Sequence, residues 1–354
     1  MLRGLEVRNR LWVAPMCQYS AVAGSGEGEG VPSDWHLHHL GGLGRGGAGL
    51  VMVEATAVVP EGRITPGCLG LYSDAQEAAF ARLIPMVTAH GARIGIQLGH
   101  AGRKASTYRD LPGEPEGSIP IAEGGWETVA PSAEAFGDYA PPRALTLDEI
   151  AATIDAFVAS TRRAVRAGFD VVELHAAHGY LLHSFLSPLS NHRTDGYGGS
   201  AENRARLLRE IAQAIRSEFP ELPLMVRISG DEWVEGGFGP DDSAQLAQWL
   251  AEDGVDLIDN STGGNVPEAP EGVGPSYQVF VAERVRAAGM PASAVGEIAS
   301  AEQAEGILRT GQADVITLGR PLLGNPHLPI VWARHLRAPS AASLIPPQYQ
   351  WARF

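Results

Sequence analysis

The chain has 354 residues, of which 44% are hydrophobic and 19% are charged, and its formal net charge is −14. A chain this acidic is repelled by phosphate groups, which disfavours binding to nucleic acids and to anionic membranes. Its two cysteines, Cys17 and Cys68, are too few for a disulfide scaffold or a cysteine-ligated iron–sulfur cluster, and without a signal-type or membrane-length apolar run we expect a cytoplasmic protein.

Short apolar runs rich in β-branched residues recur along the chain, each followed by an amphipathic stretch. They occupy residues 11–14, 49–54, 93–98, 170–175, 224–228, 255–259, 292–296 and 314–318. Nearly continuous apolar character is typical of parallel strands that are buried on both faces. Eight strands alternating with about eight helices predict a (β/α)8 barrel, formed as one domain by residues 1–354.

Three of the predicted helices are defined by their sequence patterns. One spans residues 34–44, although it is rich in glycine and histidine. The second carries an apolar stripe, which is made by Ile150, Ile154, Phe157, Thr161 and Val165. The third follows Ser200 as N-cap, and its stripe is made by Leu207, Ile211, Ile215 and Phe219. Such 3.6-residue periodicity predicts amphipathic helices packed on a barrel.

Two stretches interrupt the alternation. Residues 21–33 form a glycine-rich loop, and residues 101–143 form a long excursion after the third strand, with many prolines and glycines. Loops of this length in a compact domain usually cover a site or move.

In barrels of this type, active sites lie at the C-terminal ends of the strands. Chemically capable residues do follow the runs: Pro15, Met16, Cys17, Gln18 and Tyr19; Glu54, Ala55 and Thr56; Gln97, His100 and Lys104; His175, His178 and Tyr180; Arg227; Gly296; Gly319 and Arg320. The strand ends therefore predict one shared site.

Gly296 and Gly319 with Arg320 end the last two strands, where barrel enzymes commonly bind phosphate through backbone amides. The alternative is that these are ordinary turn glycines. Arg227 ends an apolar strand, so it must be paired or must face the site. Next to a flavin, Arg227 would stabilise negative charge on the reduced ring, and Gln97 could hydrogen-bond the pyrimidine edge. The alternative is an interior ion pair of Arg227 with Glu54 or Glu173.

The histidine pair also allows more than one interpretation. His175 and His178 can both donate to one substrate oxygen, while the Tyr180 hydroxyl supplies a proton. A metal site is the rival, with three more histidines at residues 35–39. The cationic Gly319-Arg320 end argues against a divalent ion, so no metal is expected. Purely structural histidines are the third alternative.

Cys17 is a further candidate, either as a nucleophile or as a small buried residue at a strand end. No histidine adjoins it in sequence to activate its thiol. A role in tuning a flavin without a covalent step is also consistent with this position.

Two long motifs carry a family resemblance. The segment HAAHGYLLHSFLSPLSNHRTDGYGG (175–199), with PMCQYS (15–20) and GIQLGHAGRK (95–104), resembles the Old Yellow Enzyme family and its thermophilic-like subgroup. The resemblance covers essentially the whole chain. It implies non-covalent FMN in a TIM barrel, and flavin contacts at Ala14, Pro15, Met16, Cys17, Ala55, Gln97, Arg227, Gly296, Gly319 and Arg320.

The resemblance also implies roles at the substrate side. His175 and His178 fall on the pair that binds the substrate oxygen, Tyr180 on the proton donor, and Tyr19 and Lys104 on lining positions. The activity implied is an NADPH dehydrogenase or ene-reductase that takes hydride from NADPH or NADH and reduces the C=C bond of α,β-unsaturated carbonyl or nitro compounds.

The two ends of the chain depart from the family pattern or leave an alternative open. The first strand begins so early that the leading hairpin, which closes the barrel floor in the family, is shortened. Residues 339–354 resemble a tail that reaches a neighbouring subunit's site, with either Trp351 or Arg353 at the position that contacts substrate. A homodimer is implied, and pairing of dimers into tetramers is left open.

Overall fold

The computed structural model describes residues 1–23, 28–268 and 273–354. The glycine-rich loop predicted at 21–33 falls partly outside these ranges, because residues 24–27 are not among those described.

A closed barrel of eight parallel strands forms the centre of the fold. Its strands are β1 (Leu11–Val13), β2 (Leu50–Ala57), β3 (Arg93–Gly99), β6 (Val171–Ala176), β7 (Leu224–Ser229), β8 (Leu257–Ser261), β9 (Ala292–Ala294) and β10 (Val315–Leu318). Around the barrel they follow the order β1-β10-β9-β8-β7-β6-β3-β2. Each coincides with a predicted run, so the (β/α)8 prediction is confirmed. The strands are buried along almost their whole length, which explains why their sequences do not alternate between apolar and polar residues.

The described ranges contain ten α-helices. They are α1 (Asp34–Arg45), α2 (Asp74–Thr88), α3 (Leu147–Ala167), α4 (Leu181–Leu186), α5 (Ala201–Glu218), α6 (Pro240–Glu252), α7 (Val279–Ala287), α8 (Ala301–Arg309), α9 (Arg320–Gly324) and α10 (Leu328–His335). The predicted helix at 34–44 is confirmed as α1. Ser200 caps α5 as predicted, since its side chain accepts a hydrogen bond from the Asn203 amide.

The apolar stripe predicted for α3 is wrong at its C-terminal end. Val165 is 39% exposed, whereas Ala164 and Ala167 are buried. Successive helical residues are rotated by about 100°, so the buried face passes through Ala164 and leaves its neighbour Val165 in solvent. Small alanines carry no strong periodic signal, which is why the sequence pattern favoured the valine.

The barrel floor is closed by a minimal N-terminal turn. Leu2 and Leu5 form a single antiparallel bridge where the family hairpin was expected to be shortened. Leu2 belongs to an apolar cluster with Trp12, Leu50 and Met225, and Leu5 packs against this cluster. A few residues therefore close the end of the barrel opposite the predicted site.

The excursion after β3 contains only short regular elements, among them the parallel strands β4 (Val129–Ala130) and β5 (Arg143–Ala144). It returns to the barrel at α3. Among the residues that the structure describes, no helix combines the length and apolar character needed to cross a membrane.

Candidate active site

The C-terminal ends of the strands and the excursion after β3 enclose a cavity of about 810 Å³. Tyr19 from the β1 loop, Lys104 from the β3 loop and Tyr180 from the β6 loop line it, together with Tyr139 and residues 107–117 of the excursion. Three predicted site residues from three different strand ends thus meet in one space. The excursion supplies one wall of this space.

His175, His178 and Tyr180 form one aromatic cluster after β6. The His175 ring centre lies 5.3 Å from that of His178 and 4.9 Å from that of Tyr180, and both pairs meet edge to face. His175 is the penultimate residue of β6 and is buried, whereas His178 and Tyr180 lie half-buried on the following turn. The strand end therefore brings the three predicted catalytic groups together.

The turn that carries this cluster is strained and firmly held. His178 has a φ of 59° and Gly179 a φ of 74°, and a Cβ at Gly179 would clash with the Gly264 carbonyl oxygen. The His178 amide donates to Ser229 Oγ at 2.9 Å. The Gly179 amide donates to His183 Nδ1 at 2.8 Å. Backbone strain of this kind persists only where surrounding contacts fix it, and it is common at active sites.

Burial sets the protonation states of the cluster. It lowers the pKa of His175 and of His178 well below the usual value, and the nearby positive charge of Arg227 acts in the same direction. Burial also raises the pKa of Tyr180 well above its usual value. At neutral pH the site therefore presents two neutral imidazoles and a protonated phenol, which suits hydrogen-bond and proton donation.

Lys104 is tied to the same turn. Its ammonium group donates to the carbonyl oxygens of His178 and Gly264, each at 2.9 Å. It also lies over the Phe136 ring at 4.1 Å and over the Tyr180 ring at 5.4 Å. Burial, with a smaller effect of Arg103, lowers the pKa of Lys104 to about 8. Lys104 is thus still mostly charged near pH 7.

Cys17 follows β1 and is half-buried. Burial raises the pKa of its thiol well above the usual value, and the neighbouring Cys68 and Glu54 add to the effect. A thiol held in its neutral form is a poor nucleophile. The raised pKa therefore argues against Cys17 as a covalent catalyst.

A buried histidine and carboxylate hold the β1 loop. His36 Nδ1 accepts from the Ser33 amide at 3.1 Å, so its Nε2 donates to Glu54, 2.8 Å away. The other Glu54 oxygen accepts the Gln18 amide. Glu54 is therefore engaged with α1 and the loop of Cys17, and it is not the partner of Arg227.

Beneath the cavity, buried polar side chains fill the barrel interior. Gln97 Nε2 donates to Glu173 Oε1 at 2.8 Å. The pKa of Glu173 is raised to about 8 by burial and by the neighbouring Asp259. Arg227 Nε lies 3.4 Å from Asp259 Oδ2. The interior pair of Arg227 is therefore with Asp259, rather than with Glu54 or Glu173 as the alternative proposed.

The guanidinium group of Arg227 is the best test of whether a flavin fits. Its side chain is 8% exposed, and among the described residues it forms no hydrogen bond beyond the long contact with Asp259. A buried guanidinium with unused N–H donors is costly unless a ligand accepts from it. A flavin pyrimidine edge offers such acceptors, so this residue fits the cofactor.

The last two strand ends are arranged differently from one another. Gly296 has a φ of 108°, and a Cβ there would press on the side chains of Gln278 and Tyr277. Gly319 follows β10 and lies next to Met16, whose sulfur would be 3.5 Å from an added Cβ. Arg320 is 81% exposed and pairs with Glu297. The glycines thus line the loops predicted for phosphate, whereas the Arg320 side chain points to solvent and to Glu297.

The remaining predicted residues occupy distinct positions. Ala14 continues β1 and donates its amide to the Leu318 carbonyl at 2.9 Å. Pro15 and Met16 precede Cys17, and Ala55 lies within β2. Trp351 is 87% exposed and does not line the cavity of its own chain. A role for Trp351 at substrate therefore requires a second subunit.

Several supporting residues were missed at the level of sequence. His183 Nε2 lies 3.1 Å from Glu232, and both side chains are fully buried. Ser229 and Ser261 end adjacent strands and contact the His178 turn. Their positions at strand ends were the only available signal, because a buried serine resembles any small core residue. Among the described residues, no group of three or more His, Cys, Asp or Glu side chains is arranged to hold a metal ion.

Comparisons with known proteins give the family. Residues 2–338 match the family described as NADH:flavin oxidoreductase / NADH oxidase. The NADPH dehydrogenase of Halalkalibacterium halodurans is 44% identical over 330 residues, which cover 93% of this chain and 91% of the relative. The structure of the old yellow enzyme homologue from Zymomonas mobilis aligns with a TM-score of 0.76 and 29% identity, over 96% of this chain and 91% of that one.

Morphinone reductase aligns with a TM-score of 0.78 and 29% identity, over 96% of this chain and 90% of that one. The match of fold, sequence and strand-end residues supports the resemblance found in the motifs. The chain therefore belongs to the NADH:flavin oxidoreductase / NADH oxidase family, as an oxidoreductase of the Old Yellow Enzyme type that uses FMN and a nicotinamide cofactor.

Proposed function

We propose that this protein reduces the C=C bond of α,β-unsaturated carbonyl or nitro compounds at the expense of NADPH or NADH. The observation that carries the proposal is the cluster of His175, His178 and Tyr180 beside the cavity. The His175 ring centre lies 5.3 Å from that of His178 and 4.9 Å from that of Tyr180. Two neutral N–H donors and one phenolic proton suit a substrate that gains charge on oxygen and a proton on carbon.

The cofactor would be held by residues at the strand ends. We propose that Arg227 and Gln97 face the polar edge of FMN, that the loops of Gly296 and Gly319-Arg320 bind its phosphate, and that Ala14, Pro15, Met16, Cys17 and Ala55 complete the contact surface. The orphaned guanidinium of Arg227 supports this assignment. When bound, FMN supplies the exchange of hydride between the nicotinamide and the substrate.

His175 and His178 would hold the oxygen of the substrate. Because both imidazoles are neutral, each donates one hydrogen bond without contributing a full charge to the bound ground state. The bonds strengthen as negative charge develops on the oxygen during hydride transfer. Removing one donor of this kind typically costs ~3 kcal/mol of activation free energy, which is roughly a hundredfold in rate.

Tyr180 would deliver the proton to the α-carbon. Its raised pKa keeps the proton on the hydroxyl until the carbon becomes basic. Lys104 lies over the Tyr180 ring, so its positive charge stabilises the phenolate that remains. Tyr19 lines the same cavity and would contact the substrate from the β1 side.

We also propose that the protein acts as a homodimer of single FMN-binding barrels. Tyr349 and Phe354 contact the His327 ring of their own chain, with ring centres at 5.7 and 5.6 Å. This leaves Trp351 between them on an exposed turn, where it is 87% exposed. A tail of residues 339–354 held in this way presents Trp351 to a neighbouring copy, whose cavity it would help to cover.

The visible spectrum of the purified protein tests the proposal. Anaerobic NADPH should bleach the flavin bands, and a para-substituted phenol should add a long-wavelength absorbance to the oxidised protein, because a phenolate bound by His175 and His178 stacks on the flavin. His175→Ala should weaken phenol binding and spare bleaching by NADPH. Unchanged phenol affinity in that variant would contradict the assignment of the histidine pair.

A further inference from the structure

The inference concerns the tautomer of His178, and it rests on the proposed function, in which this residue donates to the substrate oxygen. A neutral imidazole has one N–H donor and one bare nitrogen acceptor. If the proton is on the nitrogen that faces away from the substrate, His178 offers a lone pair to the substrate oxygen and repels it. The tautomer therefore decides whether His178 can donate the second hydrogen bond to the substrate oxygen.

His175 shows how the fold sets a tautomer. The Ala177 amide points at His175 Nδ1 over 3.4 Å. An amide can only donate, so Nδ1 is the acceptor and Nε2 carries the proton. The backbone of the turn thus makes His175 a donor through Nε2.

His178 has a side-chain partner instead. Its Nε2 lies 2.8 Å from Ser261 Oγ. Ser261 is the last residue of β8 and is 5% exposed. Within the described residues, its hydroxyl has no other hydrogen-bond partner. The serine hydroxyl is therefore committed to this ring nitrogen.

A hydroxyl can donate or accept, so the direction of the hydrogen bond between Ser261 Oγ and His178 Nε2 depends on which polar group each direction leaves unpaired. If Nε2–H donated to Ser261, the buried hydroxyl hydrogen of Ser261 would have no acceptor among the described residues. An unsatisfied buried donor costs on the order of one hydrogen bond or more, whereas an under-used hydroxyl lone pair costs less. The hydroxyl of Ser261 therefore donates to a bare Nε2.

We propose that Ser261 is a positioning residue that places the proton of His178 on Nδ1 and so makes this nitrogen a donor to the substrate oxygen. The two histidines then reach the same oxygen through different nitrogens, one set by a backbone amide and one by a serine. Neither needs a positive charge to donate.

Ser229 provides a matched control. It lies opposite Ser261 in the register of β7 and β8. Its Oγ accepts the His178 amide at 2.9 Å and donates to the Gly263 carbonyl at 2.7 Å. Ser229 therefore holds the backbone of the same residue and makes no contact with the ring that could set its tautomer. Loss of Ser229 disturbs the turn, whereas loss of Ser261 frees the ring.

Phenol binding to the oxidised holoenzyme gives the first readout. Ser261→Ala should raise the Kd for a para-substituted phenol about tenfold, the fold-change typical of one lost hydrogen bond. Ser261→Thr keeps the hydroxyl and should restore most of the affinity. In a His178→Ala background, Ser261→Ala should add no further loss. An equal Kd in wild type and Ser261→Ala, or an undiminished loss in the double variant, would overturn the inference.

The tautomer itself is read by nitrogen NMR of the holoenzyme labelled with ¹⁵N-histidine, with the His178 signals assigned by their absence in His178→Gln. We expect a protonated Nδ1 and a bare Nε2 in the wild type and in Ser229→Ala, and a gain of the Nε2-protonated form in Ser261→Ala. A protonated Nε2 in the wild type, or an unchanged ratio in Ser261→Ala, would refute the assignment. This result does not depend on turnover, so failure of the proposed ene-reductase activity would show separately, as a reduced protein that no enone oxidises.

Discussion

The Lys104 ammonium nitrogen lies 5.4 Å from the centre of the Tyr180 ring and donates to the carbonyl oxygen of His178 at 2.9 Å. The Lys104 cation therefore contacts both Tyr180, the proposed proton donor, and the strained turn that carries His178, one of the two proposed donors to the substrate oxygen. Since its hydrogen bonds hold the turn and its charge favours a phenolate, Lys104 acts on both geometry and electrostatics.

This relationship predicts a pH dependence. Lys104, with a pKa lowered to about 8 by burial and Arg103, is charged below that pH and neutral above it. Oxidation of the reduced protein by an enone should therefore slow as the pH rises through about 8, because the neutral amine stabilises the Tyr180 phenolate less. In Lys104→Met this inflection should disappear. A variant profile that still bends at the same pH would assign the titration to another group.

Tyr180→Phe should slow the oxidation of reduced protein by an enone by at least about a hundredfold, since general-acid catalysis typically contributes that much. Reduction by NADPH should be unchanged, and rapid-mixing absorbance follows both steps. Tyr197→Phe is the matched control, because it removes a hydroxyl bonded to Glu210 at 2.8 Å, away from the cavity. Equal enone rates in Tyr180→Phe and wild type would point to another acid or to water.

Arg227→Met should weaken FMN binding and make the flavin potential more negative, since a buried cation beside the reduced ring is lost. Arg227→Lys keeps the charge and should retain more of both properties. FMN release on dilution and equilibration with a reference dye measure the two effects. Arg309→Ala, which removes an arginine that is paired with Glu305 on the surface, serves as the control. A potential unaltered in Arg227→Met would place this residue away from the flavin.

Cys17→Ala should shift the flavin potential and keep turnover. The raised pKa of the thiol leaves little thiolate for covalent chemistry. The same dye equilibration measures the potential, and steady-state NADPH oxidation with an enone measures turnover. Complete loss of activity with FMN still bound would instead argue for a covalent step at Cys17.

Glu173→Gln should flatten the dependence of thermal stability on pH. In the folded protein the pKa of Glu173 is raised to about 8, whereas in an unfolded chain it is about 4.3. The unfolded state therefore loses the proton first, and the stability that this group contributes is lost as pH rises from about 4.3 through about 8. Melting temperatures across that window should fall more in wild type than in Glu173→Gln. Parallel curves would show that Glu173 is ionised in the fold.

The barrel could be predicted from the sequence because continuous apolar runs leave few alternatives for buried parallel strands. The clustering of His175, His178 and Tyr180 was predicted for a similar reason, since strand ends converge at one edge of a barrel. The placement of Val165 on the buried face of α3 was wrong, because the sequence alone is compatible with either alanine or valine on that face. Packing against the barrel decides which of them is buried.

Partners of buried polar groups could not be predicted in the same way. The sequence suggested Glu54 or Glu173 as the ion-pair partner of Arg227. Its partner is Asp259, the facing residue in the register of β7 and β8. Register and side-chain direction decide such pairs, and neither is visible before the strands are assembled. The same applies to Ser261, whose importance depends on a ring nitrogen 83 residues away in sequence.

Single-turnover oxidation of the NADPH-reduced protein by an α,β-unsaturated ketone, without oxygen, tests the central claim most directly. We predict that the flavin absorbance returns fully and that one equivalent of the saturated ketone forms, with the reaction slowed in His175→Ala and Tyr180→Phe. A protein that stays reduced in the presence of the enone, or regains its absorbance without forming the saturated ketone, would contradict the proposed function.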